Sequence, residues 1–352
     1  LKKEEAAATE EAEGAYPPLS IIVTAKDMGL SLEKHLPLLL EQDYPQFEVI
    51  VVNDGSTDNT EEVLKLLQQK YPHLYHTFTP QDTRYVSRKK LSQVLGIRAS
   101  KYDWLVFTEA YCYPTSKEWL KSLARHFQEG TDVVLGYSNF EAQKGCWARK
   151  ITFDRLWHSM QFLGAAVVGC PYAGSGTNLA YRKSLFYEQK GFSTYLNMKR
   201  GEDDLFVNEV ATHKNTRVEY SARSVMRMEM PATKKVWTGE KLEHYATSHL
   251  YKGFLKKLLS VEPFFRLLFL LECIALWTHA IYYQHWTVGI VALLLWVLRL
   301  VFQWRTFAHI AKDLNERRFS FSLLFYDFLQ PLWDFHYWLR WKCHDKHDFL
   351  RQ

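Results

Sequence analysis

The stretch from Phe47 to Asp58, FEVIVVNDGSTD, constrains the fold more than any other part of the chain. Val49, Ile50, Val51 and Val52 are all β-branched and fit a strand buried on both faces, which belongs in a parallel sheet covered by helices. The run passes straight into Asn53, Asp54 and Gly55, so a carboxylate stands where a central strand ends. In an open parallel sheet that end faces the ligand crevice, and Gly55 lets the backbone approach a ligand closely. Asp58 is placed to cap a helix over Thr60 to Gln69. Taken alone, the stretch also reads as a plain strand, turn and capped helix of the kind many α/β proteins contain.

The same arrangement occurs earlier, where Leu19 to Thr24 (LSIIVT) leads into Ala25-Lys26-Asp27 and a helix over Leu32 to Leu40 that ends near Pro45. Further strands are expected at Tyr75 to Thr79, Trp104 to Thr108 and Asp132 to Tyr137, with helices near Lys89 to Ala99 and Lys117 to Phe127. Strand and helix in alternation predict an α/β fold with helices on both faces of the sheet.

Composition narrows the function. The 44 basic and 39 acidic residues leave a net charge of +5, too small to argue for nucleic acid. The five cysteines are scattered without a CxxC pair, which fits a reducing compartment and argues against structural zinc. Residues 1–18 are charged and Ala-rich and read as a solvated linker without a signal-peptide pattern.

Aromatic residues crowd the last third. Phe264 to Tyr283 and Trp286 to Trp304 are each near the roughly 20 residues that cross a bilayer core. Trp286 and Trp304 at the ends and basic flanks favour a membrane hairpin, with two buried core helices of a soluble domain as the alternative. Arg299 then needs a partner such as Glu272, or must snorkel. Phe319 to Trp341, broken by Asp327, Pro331 and Asp334, is expected to lie in the interface.

Acidic residues fall where strands end or helices begin: Asp54, Glu109 in TEAYCYP, and Glu202-Asp203-Asp204 in RGEDDLFVNEV. Carboxylates gathered from separate strand ends suit two tasks, holding a divalent metal against a diphosphate and taking a proton from a hydroxyl. The last cluster also reads as the acidic first turn of a helix running to Thr212.

These segments, together with GSGTNLAYRKSLF at 174–186, resemble family 2 glycosyltransferases with the GT-A fold in order and spacing, especially bacterial membrane-bound members that end in transmembrane helices. The resemblance implies a GT-A nucleotide-sugar domain over 19–232, an interfacial amphipathic segment over 233–262, a transmembrane hairpin over 263–305 and a juxtamembrane aromatic segment over 306–352. It implies inverting transfer from a nucleotide sugar, a UDP-sugar, to a lipid-linked or polysaccharide acceptor on the cytoplasmic side of the bacterial inner membrane. Asp203 would be the base with Glu202 beside it, and Asp54, Ala25, Lys26 and Asp27 would contact the donor. Glu109 would stand at the first position of the DxD motif that holds Mg2+ or Mn2+. Asn178, Arg182, Trp237 and His244 would border the acceptor.

Two positions depart from the family pattern. The DxD motif is Glu109-Ala110-Tyr111, and a neutral phenol is a poor magnesium ligand. In place of the QxxRW motif stands Glu240-Lys241-Leu242-Glu243-His244, and Glu243 reverses the charge of an arginine expected to face the diphosphate. These departures keep open a second reading, a degenerate member serving as a non-catalytic subunit of a membrane-protein complex.

Overall fold

The computed structural model describes residues 16–80, 87–231, 233–317 and 322–343. Most of the expected linker, and the start of the aromatic segment at Phe319, lie outside them. In chain order β1 (Leu19–Ala25), α1 (Gly29–Leu40), β2 (Phe47–Asn53), α2 (Thr60–Lys70), β3 (Leu74–Phe78), α3 (Arg88–Ala99) and β4 (Trp104–Glu109) alternate as the sequence predicts. Then come β5 (Cys112–Pro114), α4 (Trp119–Ala124), β6 (Val133–Gly136), β7 (Ser138–Phe140), α5 (Cys146–Val167), β8 (Leu179–Arg182) and α6 (Lys183–Glu188). After α7 (Asp204–Val210), β9 (Thr216–Glu219) and β10 (Met226–Met228), the helices α8 (Lys234–Ser248), α9 (Phe254–Tyr282), α10 (Trp286–Asp313) and α11 (Ser322–Lys342) follow.

Among the described residues seven strands form a mixed sheet in the order β3-β2-β1-β4-β8-β6-β9. Strand β8 runs antiparallel to both neighbours, β4 and β6, while the remaining pairs are parallel. A smaller sheet, β5-β10-β7, packs beside it. Side chains alternate across each strand. Ile21 and Val23 therefore join Leu32, Leu36, Val63 and Leu64 under α1 and α2, whereas Ile22 joins Leu105, Phe107 and Ile97 under α3. Burying each such side chain contributes roughly 1.5–3 kcal/mol. Helix α3 approaches the sheet closely at Gly96, where a Cβ would lie 2.6 Å from Ile22 Cγ2.

The C-terminal helices differ in kind. Helix α10 is exposed along most of its length through Ile290, Leu294, Leu298 and Phe302. Among the described residues it is the one helix long and apolar enough to cross a membrane. It pairs with α9 through a turn at Gln284, whose φ is +56°. Helix α9 starts at Phe254 and runs on through Pro263, so the polar segment before the apolar run is continuous with it. Arg299 does find a carboxylate, but from α11: its guanidinium lies 2.5 and 2.9 Å from the two oxygens of Asp327, which also accepts from Gln303 at 2.9 Å. Arg266 approaches the same carboxylate at 3.7 Å, so Asp327 joins both arms of the hairpin, and the sequence expectation of Glu272 is replaced.

Candidate active site

The parallel register sets Thr24 opposite Val52 on one side and Glu109 on the other, and Ala25 opposite Asn53. The carboxyl ends of β1, β2 and β4 thus meet at one level, and the loops beyond them are tied together. Asp54 N–H donates to the Ala25 carbonyl at 2.7 Å. Asp27, at φ +52°, accepts from Thr57 N–H at 2.7 Å and donates its own N–H to Ser56 Oγ at 2.9 Å. Asp58, expected as the cap of α2, stands one residue before it, and the cap position is Asn59. The Asp58 carboxylate accepts from Thr60 N–H at 3.1 Å and from Gly29 N–H at 2.9 Å, tying the two loops together.

The first turn of α3 supplies what the sequence reading missed. Arg88, Lys89 and Lys90 are consecutive, and each serves a different neighbour. Arg88 Nε donates to Asp54 Oδ1 at 2.9 Å and its Nη2 to the Asp54 carbonyl at 3.2 Å. Gly55, at φ +69°, leaves that guanidinium its space, since a Cβ there would sit 2.9 Å from Nη2. Lys89 Nζ stands 2.7 Å from Glu109 Oε1 and 2.8 Å from Glu202 Oε1, bridging two carboxylates 93 positions apart in the chain. Lys90 is fully buried and donates to the carbonyls of Met198 at 2.6 Å and Arg200 at 2.7 Å. Burial lowers its ammonium to about 8. Three cations at a helix N-terminus oppose the helix dipole. That anomaly is the sequence signal that marks the turn as serving something other than helix stability.

The acidic turn divides its labour. Glu202, at 2% exposure, precedes the helix, and its Oε2 is buried without a partner among the described residues. Burial alone would raise its carboxyl, but Lys89 and then Arg200 outweigh that and hold it at about 2. Asp203 is the cap of α7, accepting from Asp204 N–H at 2.8 Å and from Gly176 N–H at 2.7 Å. Asp204 faces away from the mouth, accepting from Thr247 Oγ1 and Tyr251 Oη, each at 2.5 Å, so it fastens α7 to the segment around the end of α8. Burial, then the charge of Asp203, raises its carboxyl to about 7.

Glu243 does not confront the crevice as an uncompensated anion. Lys199 Nζ lies 2.8 Å from one of its oxygens and Arg200 Nε pairs with the other. The positive charge expected on this helix from the resemblance is found instead on the loop before the acidic turn. Arg155 of α5, another residue the sequence reading passed over, donates to Ser138 Oγ at 3.0 Å, Ser175 Oγ at 2.7 Å and Thr177 Oγ1 at 3.2 Å, beside the Gly176 loop.

Ala25, Asp27, Asp54, Glu109, Glu202 and Asp203 are therefore brought to one mouth. Lys26 is exposed at its rim. Of the α8 residues, His244 Nδ1 comes within 4.0 Å of Asp204 Oδ2, while Trp237 is buried edge-on against Phe140. Two expectations fail. Asn178 is fully buried and its amide is consumed in the core: Nδ2 donates to the carbonyls of Tyr137 and Ser224, and Oδ1 accepts from Trp119 Nε1. Arg182 pairs with Asp103 and stacks on Trp104, its register partner at the amino end of β4. Because β8 is antiparallel, that is five residues from Glu109, or about 17 Å along the strand.

The metal expected at Glu109 meets a poor donor set. Burial pushes the Tyr111 phenol well above its ordinary value, so it stays neutral, and Cys112 is fully buried in the core. The Lys89 ammonium already stands between Glu109 and Glu202. A second group, Asp154, His158 and Asp334, has ligand atoms within 4.8 Å of one another. There too an ammonium intervenes, with Lys241 Nζ 2.8 Å from Asp154 Oδ2 and 2.7 Å from His158 Nε2.

Comparison with known proteins agrees with this architecture. Over 118 residues the chain is 30% identical to the uncharacterized glycosyltransferase YibD of Escherichia coli K12, covering 33% of this chain and 32% of that protein. Over 125 residues it is 31% identical to chondroitin synthase of Pasteurella multocida, covering 33% of this chain and 12% of that protein. These matches span a third or less of either relative. Among solved structures, a mannosyltransferase from Pyrobaculum calidifontis, in complex with GDP-Man and Mn2+, superposes over 91% of this chain and 88% of its own with a TM-score of 0.54 at 17% identity, which establishes a shared fold. The model of glycosyl transferase family 2 matches residues 20–212, more than half of the 352, and the chain belongs to that family.

Proposed function

We propose that this chain is an inverting glycosyltransferase that moves a sugar from a nucleotide-diphosphate donor to the hydroxyl of a lipid-linked or glycan acceptor at a membrane surface. The observation that carries the reading is the meeting of Asp54, Glu109 and Asp203 from three distant segments at the carboxyl ends of parallel strands. Asp54 keeps Oδ1 on Arg88 and offers its other oxygen to the nucleoside, with Ala25 and Asp27 forming the adjoining wall. Asp203 is oriented by two backbone N–H groups and acts as the base. In the transfer the acceptor oxygen bonds to the anomeric carbon as its proton passes to Asp203. The bond from that carbon to the diphosphate oxygen breaks, and its electron pair leaves with the diphosphate. Arg200, Lys199 and Arg155 stabilise the departing charge.

In this reading the sheet domain binds the nucleotide sugar, α8 lies along the membrane, α9 and α10 form the hairpin, and α11 returns beside it. Support for the membrane comes from α10, whose long apolar stretch is covered by little of the protein. The site would face the cytoplasm, where nucleotide sugars are made. Titration of the detergent-solubilised chain with uridine and guanosine diphosphate sugars tests the proposal. Binding that Asp54→Ala removes, and turnover that Asp203→Asn abolishes while binding survives, are expected. No heat with any donor would leave a non-catalytic subunit.

A further inference from the structure

Glu109, the carboxylate expected to hold a divalent cation in this crevice, already shares a cation of another kind with Glu202. Lys89 Nζ is 2.7 Å from Glu109 and 2.8 Å from Glu202, distances of charge-assisted hydrogen bonds. Glu109 is further fixed by Thr24 Oγ1 at 3.0 Å, and Glu202 is buried. An ammonium has three N–H donors, and among the described residues two are committed here, which leaves one for a ligand oxygen.

We propose that Lys89 takes the place of the divalent metal, so that the donor diphosphate is bound and released without one. The inference rests on the reading of this crevice as a nucleotide-sugar site. With a divalent ion, Glu109 and Glu202 would be neutralised; with Lys89 they retain one negative charge. Beside them Lys199 and Arg200 share the Glu243 carboxylate, which sets two further cationic side chains next to Glu202. The exchange of arginine for glutamate on α8 and the loss of the second DxD acid are thereby two parts of one arrangement: the metal's charge has been redistributed over lysine and arginine side chains.

The test uses the full chain in detergent and two readouts, uptake of Mn2+ alone followed by its electron paramagnetic resonance signal, and donor binding by calorimetry with and without EDTA. The wild-type protein should take up no Mn2+ at this site and bind donor equally in EDTA. Lys89→Ala should free Glu109 and Glu202 to take up one Mn2+, lose donor affinity about tenfold or more in EDTA, and regain part of it with Mn2+. Lys89→Arg should keep metal-independent binding. Wild-type protein whose donor binding disappears in EDTA overturns the proposal, and this needs no variant to fold. Failure of both wild type and Lys89→Ala to take up Mn2+ overturns it as well. Absence of donor binding under every condition would instead remove the transferase reading, while the Mn2+ titration still decides whether Lys89 fills a cation site.

Discussion

Gly176 donates its N–H to Asp203 Oδ2 at 2.7 Å, so the GSGT loop sets the direction in which the acidic turn points its carboxylate. A Cβ on Gly176 would stand 3.2 Å from that same oxygen. Gly176→Ala must therefore turn Asp203 by a few tenths of an ångström. With Asp203 as the proposed base, we expect turnover to fall about tenfold with donor affinity little changed, because positioning of a base is felt in the chemical step. Steady-state kinetics beside calorimetry separate the two.

The pairing of Glu243 with Lys199 and Arg200 reverses a tempting repair. Glu243→Arg, which would supply the arginine expected from the resemblance, would set three cations together and should weaken the loop before the acidic turn, lowering the melting temperature by about 2–5 °C. The exchange Arg200→Glu with Glu243→Arg should recover much of that loss. A single Glu243→Arg variant that is as stable as wild type would contradict the pairing.

Asp204 makes stability depend on pH near neutrality. Its folded value, raised by burial and by Asp203 to about 7, lies above the unfolded value of about 3.9. The protonated carboxyl is thus favoured by folding, and stability is full at low pH and declines as pH rises from about 4 through 7. Asp204→Asn cannot ionise. Its melting temperature relative to wild type should rise between about pH 5 and about pH 8, and a pH-independent difference would refute the assignment.

How much of this was legible in the sequence follows from the range of each interaction. Strands such as Val49 to Val52 announce themselves because both faces are buried, and the carboxylates at their ends could be placed from sheet topology alone. Arg182 was misplaced because a four-residue strand does not declare its direction, and an antiparallel β8 carries its C-terminal residue to the far end of β4. Asn178 was misassigned because motif position says nothing about whether an amide turns into the core. The role of Lys89 was hidden for a different reason: its partners, Glu109 and Glu202, come from separate segments, and only closure of the fold brings them within reach.

Lys90, beneath that bridge, decides which part of the rim can yield. Its ammonium holds the carbonyls of Met198 and Arg200 from below, and lifting that loop would strand a charge in the interior. The segment leading to the acidic turn is consequently a fixed sill rather than a flap, and a donor must pass over it without displacing it.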